Sequence, residues 1–141
     1  MTRKLIQTAA LLAAGALFAA AAQAGEVVAI GNKANTNAVD KAFVVKAYSG
    51  ETRTWADGGA IALIDQGDDN PVRADFNQNF LGKSNGNVKA LWGQLIFAGK
   101  ALPPKVIDGD AEVKKAVAAN KNAIGYIRPA SVDDTVKVLA K

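Results

Sequence analysis

Short apolar runs alternate with helical stripes along the chain, punctuated by glycine, proline and Asn or Asp. "EVVAIGNK" (26–33) is a β-branched run closed by a glycine and reads as a buried strand. Asp40 predicts the cap of a helix over about 41–49, with Val44, Ala47 and Tyr48 on one face and Gly50 at the left-handed position that ends it. A turn at Asp57-Gly58-Gly59 leads into a strand over 61–64. Asn70 followed by Pro71 is a capping side chain before proline at the first helical position. The helix it opens runs to about Leu81, burying Val72, Phe76 and Phe80 at i, i+4 and i+8, and Gly82 ends it.

The clearest helix is "NGNVKALWGQLIFAGK" (85–100), where Val88, Leu91, Trp92, Leu95 and Ile96 form one apolar stripe. Gly99 and then Pro103-Pro104 close it. A strand over 105–107, a helix near 110–119 with Asp108 or Asp110 as its cap, a strand "AIGYI" (123–127) and a short strand "TVKVL" (135–139) complete the pattern. Helices and strands alternate, so the expected architecture is a three-layer α/β domain. Residues 25–141 show no internal repeat, linker or low-complexity tract.

Composition changes this picture at the N-terminus. Residues 1–24 begin with Arg3 and Lys4, continue as an uncharged Ala/Leu-rich stretch and end in Ala22-Gln23-Ala24, the small-x-small pattern of a signal-peptide cleavage site. A signal peptide over 1–24 and a single domain over 25–141 are therefore expected, with a periplasmic or secreted location. No second apolar segment follows, so no stable membrane span is expected after cleavage. Of the 17 Lys and Arg, two lie in that segment, so the net charge of +4 falls to +2. That value gives no argument for nucleic acid.

The chain contains no Cys and no His. Stability must come from packing, and the usual metal ligand, the usual general base and every Ser-His or Cys-His nucleophile arrangement are missing. A catalytic constellation, a metal site and a cofactor are not expected. Asp65, Asp68 and Asp69 lack the spacing of a calcium-binding hand loop and its bidentate Glu. The lysines at 83, 89, 100 and 105 read as an ordinary solvated surface.

Three stretches carry a resemblance. "YSGETRTWADGGAIALID" (48–65) resembles the "IF-x-GK-x-TxW-x-DG" stretch of phosphate-type periplasmic solute-binding proteins, the extracytoplasmic component of phosphate ABC transporters. "FLGKSNGNVKALWGQLIFAGKALPPKVI" (80–107) is similar to a stretch in short members of that superfamily, and "AVAANKNAIGYI" (116–127) to its "V-x-x-x-PGAIGYV". The resemblance covers nearly all of 26–139. It implies a three-layer αβα lobe of the type II periplasmic-binding-protein type, and the similar region is the second of the two lobes in full-length members. A single lobe offers half a cleft.

The resemblance also implies a place for the ligand. The family's loop "R-x-D-G-S-G-T" follows a strand, opens a helix and holds phosphate through hydroxyls and backbone N–H groups. Its counterpart here is 64–73, which makes Gly67, Asp68, Asp69, Asn70 and Arg73 the candidate ligand residues. Unpaired N–H groups and a helix dipole suit an anion there. The chain departs from the pattern in having Asp69-Asn70-Pro71 where the family has Ser-Gly-Thr, losing two hydroxyls and one N–H donor.

Other readings of these residues stay open. Asp68, Asp69 and Asn70 could serve only as helix caps, and Arg73 as a solvated partner of an acid such as Asp69. Trp55 reads as packing at the lobe edge and Trp92 as core. Asn32, with Gly31 and Asn35, lies in the polar loop after the first strand, where α/β sheets place ligand contacts, and is a further candidate beside an ordinary turn. The expected function is non-catalytic binding of a small oxyanion such as phosphate, in association with a phosphate transporter. The alternative is an interaction module that keeps the lobe without the ligand and binds a protein partner or a second copy of itself.

Overall fold

The computed structural model describes residues 25–141, so the expected signal segment lies outside the described residues. Strands β1 (Val28–Gly31), β2 (Ala62–Asp65), β3 (Lys105–Val106), β4 (Ala123–Ile127) and β5 (Lys137–Ala140) form one mixed sheet in the order β3-β2-β4-β1-β5. β2 runs parallel to β3 and β4, while β1 runs antiparallel to β4 and β5. Register fixes which loops share an end of the sheet. Val28 faces Ile127 and Gly31 faces Ile124, so the loop leaving β1 emerges at the opposite end from the loop leaving β2.

Helices cover both faces. On one side lie α1 (Lys41–Tyr48) and α2 (Pro71–Phe76), which continues as a π-helical turn over Asn77–Leu81. They bury Val44, Ala47, Tyr48, Phe76 and Phe80 against Ala29, Ile124 and Tyr126. On the other side α4 (Asp110–Ala119) buries Val113 and Val117 against Ile30, Ile64 and Ile127. Val113 and Val117 approach the sheet over Gly125, where an added Cβ would stand 2.7 Å from Val113 Cγ1. The three-layer αβα arrangement therefore follows from strands that are apolar on both faces.

Local signals account for most boundaries. Asp40 accepts a hydrogen bond from Phe43 N at 2.8 Å and caps α1, and Gly50 takes the left-handed conformation beyond it at φ 76°. The uniform helix expected to Leu81 is corrected by the π turn. There Gly82, at φ 61°, donates its N–H to Gln78 O at 3.2 Å. Asp108 and Asp110 are corrected as caps, because the residue before α4 is Gly109 and supplies no side-chain acceptor. Asp108 instead accepts from Gly67 N, while Asp110 accepts from Arg128 N and Ser131 Oγ.

The stripe on α3 (Asn85–Phe97) is only partly seated. Val88 and Trp92 are buried, and Trp92 Nε1 donates to Tyr48 O at 3.0 Å. Leu91 and Leu95 are half-buried, while Ile96 is exposed. The helix is seated through Val88 and Trp92, with Leu95 against Gly50, and its last two residues, Ile96 and Phe97, are exposed.

Candidate functional site

β2 ends at Asp65, whose Oδ1 accepts the phenolic proton of Tyr126 and, at 2.8 Å, the N–H of Gln66. Tyr126 stands on β4, stacked on Phe76 of α2 with ring centroids 4.0 Å apart. Phe76 also stacks on Phe80 at 4.6 Å and meets Tyr48 edge-on at 4.7 Å. Such pairs contribute roughly 0.5–1.5 kcal/mol each beyond burial. The aromatic cluster fixes the floor on which the loop after β2 rests.

The loop is held from both ends. Gln66 is fully buried, donates through Nε2 to Tyr126 O at 2.9 Å and accepts from Asn70 Nδ2 at 2.8 Å. Asn70 also accepts from Val72 N at 3.0 Å, making it the cap of α2, with Pro71 next. Gly67 donates to Asp108 Oδ1 at 2.6 Å, and a Cβ on Gly67 would come within 2.8 Å of that carboxylate. A side chain at 67 would require the Asp108 carboxylate to move.

Arg73 lies one turn inside α2 and is 9% exposed. Its Nη2 stands 3.7 Å from Asp65 Oδ2, and its Nη1 donates to Asp68 Oδ1 and, at 3.4 Å, to Gln66 O. Nε is buried with no hydrogen-bond partner among the described residues. The sequence expectation that Arg73 would be a solvated partner of Asp69 is corrected: it is a buried cation between Asp65 and Asp68. Asp68 is itself exposed, with Lys89 Nζ 3.8 Å from its second oxygen. Asn85, at the start of α3, donates to Asp68 O at 3.4 Å and accepts from Asn77 Nδ2 at 2.8 Å, linking the loop to the π turn.

Burial pushes the Tyr126 phenol well above its ordinary value, and the Asp65 charge and hydrogen bond add to it. The tyrosine therefore remains a neutral donor to Asp65. Tyr48 is raised in the same direction, chiefly by burial, and donates to Ile64 O at 2.7 Å.

Gly67, Asp68, Asp69, Asn70 and Arg73 thus come together at the end of β2. Asn32 does not join them. It sits at the other end of the sheet, where its Nδ2 donates to Val117 O at 2.9 Å and Ala118 O at 3.0 Å, satisfying the last carbonyls of α4. Asn35 does similar work, donating to Lys121 O at 3.1 Å. Sequence reasoning missed Gln66, Tyr126, Asn85 and Asp108 as parts of the site. The one readable signal was Tyr126, a hydroxyl in an otherwise apolar strand that must find a partner when buried. Among the described residues no group of three acidic or other ligating side chains could hold a metal ion.

The fold is similar to part of the fold of solved phosphate receptors. The chain aligns with an ABC-type phosphate transport receptor from Vibrio cholerae at TM-score 0.62 and 20% identity, covering 80% of this chain and 44% of that one. PstS from Borrelia burgdorferi aligns at TM-score 0.61 and 14% identity, covering 81% and 46%. A possible phosphate binding protein from Planctomyces limnophilus aligns at TM-score 0.61 and 17% identity, covering 84% and 43%. The chain therefore spans less than half the length of these proteins. No protein-family model and no curated protein sequence matches it.

Proposed function

We propose that the protein is an exported, non-catalytic receptor lobe that takes a small oxyanion of the phosphate class at Gly67–Arg73 and serves phosphate ABC-type transport. The observation that carries this reading is Arg73. A guanidinium nine-tenths buried, with one N–H unpartnered, stands beside the loop that opens α2. A fixed cation is what an oxyanion needs, and Arg73 is the group that supplies it here, since Pro71 has no N–H and the N–H groups of Val72 and Arg73 already donate to Asn70. Similarity of fold to phosphate receptors supports the ligand class. The apolar 1–24 segment with its Ala22-Gln23-Ala24 end supports export.

Local charge sets the strength of binding. Asp65 and Asp68 already neutralise Arg73, and Asp69 and Asp108 add two further carboxylates around the loop. Affinity for a dianion is therefore expected to be weak, and to fall further without the hydroxyls lost at Asp69-Asn70-Pro71. Isothermal titration of residues 25–141 with phosphate at low ionic strength tests the reading, alongside Arg73→Met and the double change Asp69→Ser/Pro71→Thr. Heat from the natural sequence, lost in Arg73→Met and increased in the double variant, is the expected result. Silence from both the natural chain and the double variant would overturn it.

A further inference from the structure

Charge is distributed unevenly along the chain. Residues 76–107 contain no Asp or Glu and carry Lys83, Lys89, Lys100 and Lys105. The same segment supplies four of the five exposed large apolar side chains among the described residues: Ile96, Phe97, Leu102 and Val106. Phe97 is 96% and Leu102 89% exposed, values that core packing cannot explain. They lie on the last turn of α3 and the loop that follows it.

This end of the molecule also holds a groove of about 610 Å³. It opens where β3, only two residues long, pairs with Ile64 and Asp65 and leaves Ala62 and Leu63 facing the loop. Ile96 and Leu102 line it together with three cations, Arg53, Lys100 and Lys105, and no acid. Apolar tips surrounded by cations of one sign are the pairing that holds a protein at an anionic bilayer: partial insertion of the apolar groups and attraction of the cations to lipid phosphates. A second copy is disfavoured by the same charges, since a self-complementary contact would set Arg53, Lys100 and Lys105 against one another.

We propose that the C-terminal turn of α3 and the 98–106 loop form a docking surface for an anionic phospholipid membrane. Asn85, at the start of α3, touches the backbone of Asp68, and the 13 residues of the helix carry Phe97 about 18 Å along its axis, while Lys105 and Val106 pair with Ile64 and Asp65 at the other edge of the patch. The inference does not depend on which anion Arg73 takes, or on whether it takes one.

Residues 25–141, which contain every strand of the sheet and both packed faces, are sedimented with vesicles of phosphatidylethanolamine and phosphatidylglycerol, and with phosphatidylcholine vesicles. The protein is expected to partition onto the anionic vesicles only, and to be released by about half-molar NaCl. Phe97→Ser/Leu102→Ser and Lys100→Glu/Lys105→Glu are each expected to lower partitioning at least about tenfold. All four positions are exposed, so unchanged thermal melting confirms that the variants fold. No partitioning onto anionic vesicles overturns the proposal, as does equal partitioning of the natural chain and both variants. Light scattering that shows a dimer abolished by Phe97→Ser, without vesicle binding, assigns the surface to a second copy and overturns it as well.

Discussion

The buried guanidinium of Arg73 donates to the carboxylate of Asp68, an exposed side chain that stands between that cation and solvent. The chain thus supplies its own counter-charge to the cation proposed as the anion partner in the loop. Any ligand oxygen reaching Nη1 competes with Asp68 Oδ1, and Lys89 at 3.8 Å offers that carboxylate an alternative partner.

Asp68→Asn removes this competitor and is expected to tighten phosphate binding about fivefold. One unit charge near 4 Å is worth about 1 kcal/mol even at the dielectric of water. Asp69→Asn makes the same change of charge at a residue with no ion pair among the described residues, and should have the smaller effect. Titration calorimetry of the two variants at one ionic strength distinguishes competition from general repulsion. Equal gains would refute a special role for Asp68.

The pair between Arg73 and Asp65 is buried on both sides, at 10% and 11% side-chain exposure. Arg73→Met leaves the Asp65 carboxylate with only Tyr126 and Gln66 N as partners, and is expected to cost about 3 kcal/mol in urea denaturation. Replacing both, as Asp65→Asn/Arg73→Met, removes the uncompensated charge and should cost clearly less than Arg73→Met alone. A double variant as unstable as the sum of its singles would show that the two residues are not energetically coupled.

Most of the fold was legible in the sequence because its signals are local. Asp40, Asn70-Pro71, Gly50 and Gly82 act on the backbone within a few residues, and each ends or starts the element expected of it. The seating of α3 was not legible. A periodic stripe shows which side chains could be buried, and the neighbouring elements decide how many are; here Trp92 reaches Tyr48 O while Ile96 and Phe97 reach nothing that covers them. The site was half legible for a similar reason. Gly67 to Arg73 are consecutive, whereas Tyr126 and Asp108 arrive through β4 and the loop after β3. That Asn32 lies at the other end of the sheet was not legible, because sequence does not reveal that β1 runs antiparallel to its neighbours.

Tyr126 gives the molecule an alkaline limit. Its folded pKa lies above that of an unfolded tyrosine, near 10, so the stabilisation of the neutral phenol is complete below that pH. Above about pH 10 the unfolded chain ionises first, and stability falls as pH rises. Tyr126→Phe loses the hydrogen bond to Asp65, costs about 1–2 kcal/mol at neutral pH, and flattens the decline above pH 10. Denaturation midpoints measured at neutral pH and at about pH 10.5 check both parts; an unaltered alkaline slope in the variant would assign the decline to other groups, Tyr48 first among them.

Asn32 tests which end of the sheet carries the ligand. It is 8% exposed, and its Nδ2 closes the C-terminus of α4 through two carbonyls, while its Oδ1 accepts from Ala34 N at 2.8 Å. Asn32→Ala therefore takes their Asn32 partner from Ala118 O and Ala34 N and one of two donors from Val117 O, which keeps Asn120 N, and is expected to lower stability by about 1–2 kcal/mol. Phosphate affinity should stay as it was, because Gly31 and Asp65 end their strands at opposite ends of the sheet. Asp68→Asn should behave in the opposite way, with stability held within about 1 kcal/mol, as for an exposed ion pair, and affinity altered. Urea titration and calorimetry on the two variants give a crossed result if the ligand loop lies at the end of β2. A loss of affinity in Asn32→Ala at temperatures where it remains folded would move the site to the other end of the sheet.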